Sequence, residues 1–337
     1  MANVTLKDVA ERAGVSVSLA SKVITGKMGN STVSEDKAEK ILAVAREMGY
    51  VPNTSARRLR TGKGKTIAAV LPYGEHYFNT VFYAFMDGIL DFAKESDYEF
   101  VNVFYYWDKK ELESLQKLQH MTIDGLIYYP SYLAENSEDC RRAVEDIVTM
   151  GIPTIVSGIH FPRIKGCHYF DMDEKSSGCN ITKYCIDRGM KKIALVYSLD
   201  ESRNAGYFEA MEEAKLPTDG LVIRDFPAFN SASGYACFKK YYEEHGDELP
   251  EAMIATCDLC AVGILDAMQD LGVSTDKMKV VAVDGLETVE SIYRTKFPTV
   301  RQPTRQMGWD AAEAMVKFIE TGECEDRRYY QDEIIHA

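Results

Sequence analysis

The chain has 337 residues, of which 46% are hydrophobic and 27% are charged, and its formal net charge at pH 7 is −13. This length allows more than one domain. No apolar run reaches the roughly 20 residues that a membrane-spanning helix needs, and we find no export signal, so we expect a cytoplasmic protein without membrane contact. The eight cysteines have no regular spacing. Free thiols are therefore expected rather than a disulfide scaffold.

The charge is divided unevenly along the chain. Residues 1–65 contain 12 Lys and Arg against 6 Asp and Glu, whereas the remainder contains 27 against 46. A basic N-terminal segment thus precedes an acidic body. Such a segment suits a polyanionic partner such as nucleic acid.

The first elements predicted are two short helices joined by a tight turn. Thr5 and Asp8 have the spacing of a capping box at the start of the first helix, and Gly14 can adopt the left-handed conformation that ends it. Ser16 can cap a second helix over 17–24. The apolar face of the first helix contains Leu6, Val9, Ala10 and Ala13. This arrangement predicts a helix-turn-helix.

The second helix has the residues needed to contact a DNA major groove. Val17 offers apolar contact with a thymine methyl, Ser18 and Ser21 can donate or accept, and Lys22 can bind guanine acceptors or phosphate. Leu19, Ala20 and Val23 are expected to face inward. Helical hairpins with a glycine turn also occur in proteins that never bind nucleic acid, and the pattern alone leaves that alternative open.

A third helix and a basic segment follow. Ser34 is expected to cap the third helix, which ends near Gly49 and has its apolar face on Ala38, Ile41, Leu42, Ala45 and Met48. In the basic segment, Pro52 and Asn53 can start a short helix. A flexible linker with solvated arginines is the alternative for this segment, because it has too little apolar surface to fold alone.

The rest of the chain alternates short apolar runs with helical stretches. TIAAVLP, YEFVNVF, DGLIYYP and PTIVSGI have the composition of buried parallel strands, and KKIALVYS, EAMIATC and MKVVAVDG form a second series. Two α/β halves in tandem predict a cleft, and ligands of open sheets bind outside the carboxyl ends of the strands. We therefore expect a small-molecule site in the body.

Residues 4–60 resemble the headpiece and hinge of the lactose-repressor (LacI/GalR) family of bacterial transcription regulators. The matching pieces are TLKDVAERAGVS, the helix ending in SKV, the VS before the third helix, and GYVPNTSARRL. Thr25 departs from the family, which usually has Asn there, and the loop 26–32 is longer than usual. The resemblance implies that hinge helices of two subunits pair in the minor groove, where Leu59 wedges into a base step beside Ala56. The expected DNA-binding residues are Thr5, Leu6, Ser16, Val17, Ser18, Ser21, Lys22, Asn53, Ala56, Arg57 and Leu59.

The resemblance extends more loosely over the whole chain. It implies an α-helical helix-turn-helix headpiece followed by an α/β periplasmic-binding-protein-like body of two doubly wound subdomains, with chain crossovers between them. The effector-contacting motifs of the family that this sequence retains place the effector contacts at Tyr77, Phe78, Arg203, Cys257, Asp258 and Asp284. Arg203 lies in the R-x-x-G-[FY]-x-x-A pattern, and Asp284 is a strand-end aspartate. The alternatives are that Arg203 is an ordinary surface arginine, that Asp284 caps a loop, and that the Phe78 ring packs in the core.

Two departures from the family concern this effector site. Cys257 replaces the usual asparagine and so removes a sugar-type donor and acceptor. Gly158 stands roughly where many sugar-binding relatives carry an aspartate. Aromatic residues at 104–107, 128, 129 and 132 lie near predicted strand ends, where they either stack on a ligand or pack between the subdomains. The second of these is favoured.

Several other kinds of chemistry are not supported by the sequence. GKGKT at 62–66 would need a glycine at Leu59 to form a phosphate-binding loop. Cys257 and Cys260 form a lone CxxC, without the second pair or histidines that a zinc site requires. No Gly-x-Ser-x-Gly elbow occurs. We therefore expect no catalysis, no cofactor and no metal.

These patterns together predict a DNA-binding transcription regulator, and more specifically a repressor. Its domains are a headpiece at 1–51, a hinge helix and linker at 52–65, and an effector-binding and dimerisation body at 66–337. The expected partners are double-stranded DNA with a palindromic operator, a small-molecule effector that is a sugar or related metabolite, and a second copy of the chain. A cysteine-based redox-responsive regulator and a solute-binding protein without DNA function are the alternatives.

Overall fold

The computed structural model describes residues 4–24, 32–50, 64–73, 80–106, 111–131, 137–158, 161–198, 201–225, 230–331 and 333–336. The chain divides into two compact units, one ending at Gly64 and one beginning at Lys65. The helices are α1 Leu6–Ala13, α2 Val17–Ile24, α3 Glu35–Glu47, α4 Thr80–Glu95, α5 Glu111–Leu118, α6 Glu138–Thr149, α7 Glu174–Asp187, α8 Glu201–Glu213, α9 Ser231–His245, α10 Asp258–Asp270, α11 Glu287–Tyr293 and α12 Thr304–Thr321. The strands are β1 Thr66–Tyr73, β2 Glu99–Tyr106, β3 Gly125–Tyr128, β4 Thr154–Gly158, β5 Cys167–Met172, β6 Ile193–Val196, β7 Val222–Ile223, β8 Ala252–Ile254, β9 Lys279–Asp284, β10 Thr299–Arg301, β11 Arg327–Tyr329 and β12 Ile334–Ile335.

The first unit contains the three predicted helices, packed around one small core. Its buried residues are Val9, Ala10, Ala13, Ala20, Val23, Ile41, Val44 and Ala45. Two details of the third helix were predicted wrongly. Ser34 occupies the N-cap position of α3, but its side chain makes no capping hydrogen bond. Leu42 is exposed, and Val44 is buried in its place. Because Val44 lies three residues after Ile41, it shares the inward face of α3.

The second unit contains two six-stranded sheets with the same strand order. The first runs β11-β5-β4-β3-β1-β2 and the second β12-β10-β9-β8-β6-β7. Every described pairing is parallel except that of β10 with β12. We call β1–β5 and β11, with α4–α6 and α12, the N-terminal subdomain. The C-terminal subdomain comprises β6–β10 and β12, with α7–α11. Both have the predicted doubly wound topology.

The chain passes between the subdomains three times. It leaves β5 for α7, leaves β10 for α12, and leaves β11 for β12. All three connections are short, and polar contacts tie them to the first turns of α7. The backbone carbonyl of Tyr329 accepts a hydrogen bond from the backbone N–H of Asp173 at 2.8 Å, and the Asn180 side-chain amide donates to the backbone carbonyl of Gln331 at 2.6 Å. The start of α7 therefore lies at the junction of the subdomains.

Three helix pairs approach each other closely enough for glycine to be required. In the pair α7 and α8, a Cβ built on Gly178 would lie 2.0 Å from the carbonyl oxygen of Arg203, and one on Gly206 would lie 2.1 Å from that of Lys175. Reciprocal glycines at similar distances join α4 to α12 and α9 to α10: Gly88 and Gly308, and Gly234 and Gly263. Backbone therefore packs against backbone in each pair.

Several aromatic residues near strand ends belong to the core of the N-terminal subdomain. Tyr105, Tyr128 and Tyr129 are buried, whereas Phe104 is exposed. The prediction that these rings pack between the subdomains is therefore wrong for the three tyrosines, which lie in core clusters of a single subdomain. Along the described stretches of the chain, no helix has both the length and the apolar character that crossing a membrane requires.

Candidate functional sites in the headpiece and the body

The helix-turn-helix is fixed by local hydrogen bonds. The Thr5 side chain accepts from the Asp8 backbone N–H at 3.3 Å, and the Asp8 carboxylate accepts from the Thr5 backbone N–H at 2.8 Å, so the capping box is complete. The hydrogen bonds from Thr5 lower the pKa of Asp8. Gly14 adopts the left-handed conformation with a φ of 69°, and the Ser16 hydroxyl accepts from the Leu19 N–H at 3.2 Å. These contacts set the angle at which α2 follows α1.

The helix α2 presents a polar and partly apolar face away from the headpiece core. Ala20 and Val23 are buried, while Val17 is 45% exposed and Ser18 is exposed. Ser21 and Lys22 are half-buried. The exposed face thus begins at the N-terminal end of α2, which is the part of a recognition helix that contacts base edges.

Some predicted site residues lie outside the described residues. These are the hinge residues Asn53, Ala56, Arg57 and Leu59, and the effector residues Tyr77 and Phe78. The remaining four effector residues, Arg203, Cys257, Asp258 and Asp284, are all described and all belong to the C-terminal subdomain.

A buried ion pair dominates the polar cluster at this site. Arg203 donates to the Glu174 carboxylate through Nε at 3.1 Å and through Nη2 at 2.7 Å, and its Nη1 donates to the carbonyl of Thr256 at 2.5 Å. The two side chains are only 7% and 9% exposed. Because Gly178 and Gly206 bring α7 against α8, these side chains meet although 29 residues separate them.

Two aspartates complete the cluster. The Asp284 carboxylate lies 4.0 Å from Nη1 of Arg203, at the end of β9. Asp258 accepts hydrogen bonds from the Thr299 hydroxyl at 2.6 Å and from the Leu286 N–H at 2.7 Å. The structure thus brings Arg203, Asp258 and Asp284 together, as the sequence motifs predicted.

Burial controls the protonation of these carboxyls. Desolvation raises the pKa of Asp258 to about 6, against the opposing effect of its hydrogen bonds. It raises the pKa of Asp284 well above its ordinary value, although Arg203 acts in the opposite direction. Asp284 also has a φ of 134°, a conformation that costs free energy in any residue other than glycine and is common at functional sites. A buried carboxyl of this kind can accept from or donate to a ligand hydroxyl.

Cys257 has a different local role. Its Sγ accepts the backbone N–H of Cys260 at 3.3 Å and so caps α10. Both thiols are buried, which raises the pKa of Cys257 well above its ordinary value and that of Cys260 to about 11. A thiol must ionise to act as a nucleophile, so burial lowers the reactivity of this pair. Within the described part of the chain, no group of three or more His, Cys, Asp or Glu is placed to hold a metal ion.

The sequence did not identify two features of the site. The first is Glu174, which pairs with Arg203 and also accepts from Gln302 at 3.3 Å; Gln302 follows β10 on the second connection between the subdomains. The second is the contact between Gly158 and Tyr129. Gly158 has a φ of 98°, and a Cβ there would lie 2.2 Å from the Tyr129 ring. The aromatic ring therefore occupies the space that a side chain at 158 would need.

Comparison with known proteins agrees with this architecture. A family model described as bacterial regulatory proteins, lacI family, matches residues 5–53, and one described as a periplasmic binding protein-like domain matches residues 182–333. The transcriptional regulator RegA of Clostridium saccharobutylicum is 27% identical over 96% of this chain and 95% of its own length.

Two solved structures have the same fold. The lac repressor dimer bound to operator and the anti-inducer ONPF has a TM-score of 0.78 at 19% identity and covers 99% of this chain and 98% of its own. The regulator CelR in complex with cellobiose has a TM-score of 0.67 at 23% identity, with the same coverage. Both structures share with this chain the order of a headpiece followed by a two-subdomain body. The chain therefore combines a DNA-binding domain of the lacI family of bacterial regulatory proteins with a periplasmic binding protein-like domain.

Proposed function

We propose that this protein is a transcriptional repressor whose affinity for a palindromic operator in double-stranded DNA is controlled by a small molecule bound in its body. The observation that carries the DNA-binding part is the exposed face at the start of α2, opposite a buried Ala20 and Val23. Because a regulator of this kind must reach DNA, we propose that the chain acts in the cytoplasm.

The small-molecule part of the proposal is supported by the cluster around Arg203. A strand-end carboxyl at Asp284 and an adjacent guanidinium are groups that bind the hydroxyls of a sugar or related metabolite. A similar fold holds cellobiose in CelR, and the lac repressor binds an anti-inducer together with its operator. We expect the effector between the subdomains, with Tyr77 and Phe78 contributing from the N-terminal side.

In this proposal, the three connections between the subdomains let the effector control DNA binding by changing how the subdomains are arranged. A ligand that binds one arrangement of the subdomains more tightly shifts the population toward that arrangement. We propose that this shift changes whether the hinge residues Asn53, Ala56, Arg57 and Leu59 of two subunits engage the minor groove. The coupling is reciprocal, so operator DNA also changes the affinity for the effector.

A second copy of the chain is required to read two half-sites. Apolar side chains are exposed on both subdomains: Phe104 on the edge strand β2, and Ile292 and Tyr293 on α11. We expect Phe104→Lys with Ile292→Lys to give a monomer in analytical ultracentrifugation. Met150→Lys, which changes another exposed apolar residue, serves as the control. If the double variant still forms dimers, the contact between the two copies lies elsewhere on the body.

Selection of duplexes from a random pool tests the DNA-binding function. The wild-type protein should enrich a palindrome, and Val17→Ala should change the preferred base at one position in each half-site. Leu42→Ala removes an exposed apolar side chain from α3 and should leave the preference unchanged. Equal enrichment of all sequences by the wild type would contradict the proposal.

The cysteine-based alternative is weaker. Burial raises the thiol pKa of Cys167 and of Cys185 to about 12, in addition to that of Cys257 and Cys260. A thiol of this kind is almost entirely protonated at neutral pH and reacts slowly with oxidants. Operator binding should therefore be the same before and after mild peroxide treatment, and a loss that Cys257→Ser prevents would support the redox reading instead.

A further inference from the structure

The arginine at the effector site already holds an anionic group from its own chain. Both Nε and Nη2 of Arg203 donate to the same Oε2 of Glu174. This edge of a guanidinium is the one that a ligand carboxylate or phosphate uses for paired hydrogen bonds. In this protein, Glu174 takes that position.

Glu174 is held in place by contacts on its other sides. Its Oε2 also accepts from the Ser177 hydroxyl at 3.2 Å, and its Oε1 accepts from the Gln302 amide at 3.3 Å. Glu174 is the first residue of α7, so its backbone is fixed by the close α7–α8 contact at Gly178. Displacing the carboxylate would break contacts with three different side chains.

The charge balance of the cluster is also unfavourable to an acidic ligand. Arg203 is the cation, while Glu174 and Asp284 lie within 4.0 Å of it and Asp258 is a further carboxyl in the cluster. Arg203, Glu174, Asp258 and Asp284 are all buried. Glu174 already balances the charge of Arg203, so a further anion there would add an uncompensated buried charge in surroundings that screen charge poorly, even where the raised pKa values of Asp258 and Asp284 keep those carboxyls protonated.

We propose that Glu174 acts as an internal substitute for a ligand anion at Arg203, and that it restricts the effector to compounds without a carboxylate or phosphate at this subsite. The ligand instead presents hydroxyl groups, which can donate to Asp284 and accept from the Nη1 edge of Arg203. Glu174 is thus a specificity-determining residue. This inference rests on the proposed effector role of the Arg203 cluster.

Small carboxylates test the inference without knowledge of the effector. Full-length wild type, Glu174→Ala and Glu209→Ala are titrated with sodium formate, against sodium chloride at equal ionic strength, and thermal unfolding is recorded. Glu209 pairs with Lys175 across the same two helices, but this pair is exposed, so Glu209→Ala is the matched control. Removing Glu174 should leave the paired donors of Arg203 available to formate.

The expected result is a saturable, formate-specific stabilisation of Glu174→Ala, with an affinity about tenfold or more above any binding by the wild type. The wild type and Glu209→Ala should respond equally to formate and chloride. Adding Arg203→Met to Glu174→Ala should abolish the gain, and Glu174→Asp should show none because it retains the charge. If Glu174→Ala folds poorly in chloride, formate should restore its folded fraction.

Three results would overturn the inference: formate binding by the wild type equal to that of Glu174→Ala, no gain or recovery in Glu174→Ala, or a gain that persists without Arg203. The titration contains no DNA. A failure of operator selection therefore bears on the proposed function, whereas the formate response bears on the role of Glu174.

Discussion

The buried pair between Glu174 and Arg203 makes a quantitative prediction about stability. Replacing Glu174 by Gln keeps the size of the side chain but removes its charge. Arg203 then remains a buried cation, with the carboxyl group of Asp284 4.0 Å from its Nη1. Arg203→Met removes the other partner, and the double variant Glu174→Gln, Arg203→Met removes both.

The expected magnitude follows from burial. Removing one partner of a buried ion pair costs about 3–5 kcal/mol, because the other charge stays desolvated without compensation. Gln302 and Ser177 can still hydrogen-bond to the new amide, so we place Glu174→Gln at the lower end, about 3 kcal/mol. In a domain of this size, each 1 kcal/mol lowers the melting temperature by about 2–4 °C. The double variant should recover part of the loss.

Urea unfolding followed by circular dichroism measures these differences, with Glu209→Gln as the control. The exposed Lys175–Glu209 pair is expected to contribute at most about 1 kcal/mol. A loss of this small size for Glu174→Gln would refute the reasoning, because the pair would then behave as a surface pair. The reasoning would also be refuted if the losses in unfolding free energy of the two single variants added up to the loss in the double variant, because the two side chains would then act independently.

Three further predictions concern the remaining parts of the molecule. Burial raises the pKa of Asp258 from 3.8 to about 6, so the folded protein binds the proton of this carboxyl more tightly than the unfolded chain does. This difference contributes about 3 kcal/mol to the free energy of unfolding. The contribution is fully present below pH 3.8 and is lost as the pH rises through 6. In urea titrations, the difference in unfolding free energy between wild type and Asp258→Asn should shrink between pH 3.8 and pH 6. A difference that stays constant with pH would contradict the raised pKa of Asp258. Gly178→Ala should lower stability by about 1–3 kcal/mol, since the new Cβ meets the Arg203 carbonyl at 2.0 Å, while Lys183→Ala on the same helix should have little effect. Leu59→Ala should lose operator affinity in gel-shift titrations and retain weak nonspecific binding; an equal loss on random DNA would argue against a wedge.

The headpiece was predictable from sequence because its determinants are local. The capping residues Thr5 and Ser16 and the turn at Gly14 act within three or four positions of the groups they bind. Most strands of the body were predicted for a related reason, since each buried parallel strand is a continuous apolar run. β5 was not predicted because CHYFDM mixes polar and apolar residues, in keeping with its partial burial.

The candidate site was predictable only in part. Motifs identified Arg203, Asp258 and Asp284, but no local pattern indicates that Glu174 pairs with Arg203. That contact depends on a crossover between the subdomains and on the close approach of α7 and α8. The Tyr129 ring against Gly158 likewise joins residues from the ends of two neighbouring strands. Such contacts are set by tertiary packing and leave no signal in sequence spacing.

The glycine pairs have a consequence for how the body moves. Helix α12 follows a strand of the C-terminal subdomain but packs on α4 of the N-terminal one, while α7 follows an N-terminal strand and packs on α8. Each crossing helix is thus joined, backbone to backbone, to the subdomain it enters, at Gly308 and Gly178. Backbones in contact cannot slide without a clash, so we expect each crossing helix to move as one body with the subdomain it enters. Any change in the arrangement of the subdomains would then be taken up by the three connections, and it would carry α7 and α12 with it.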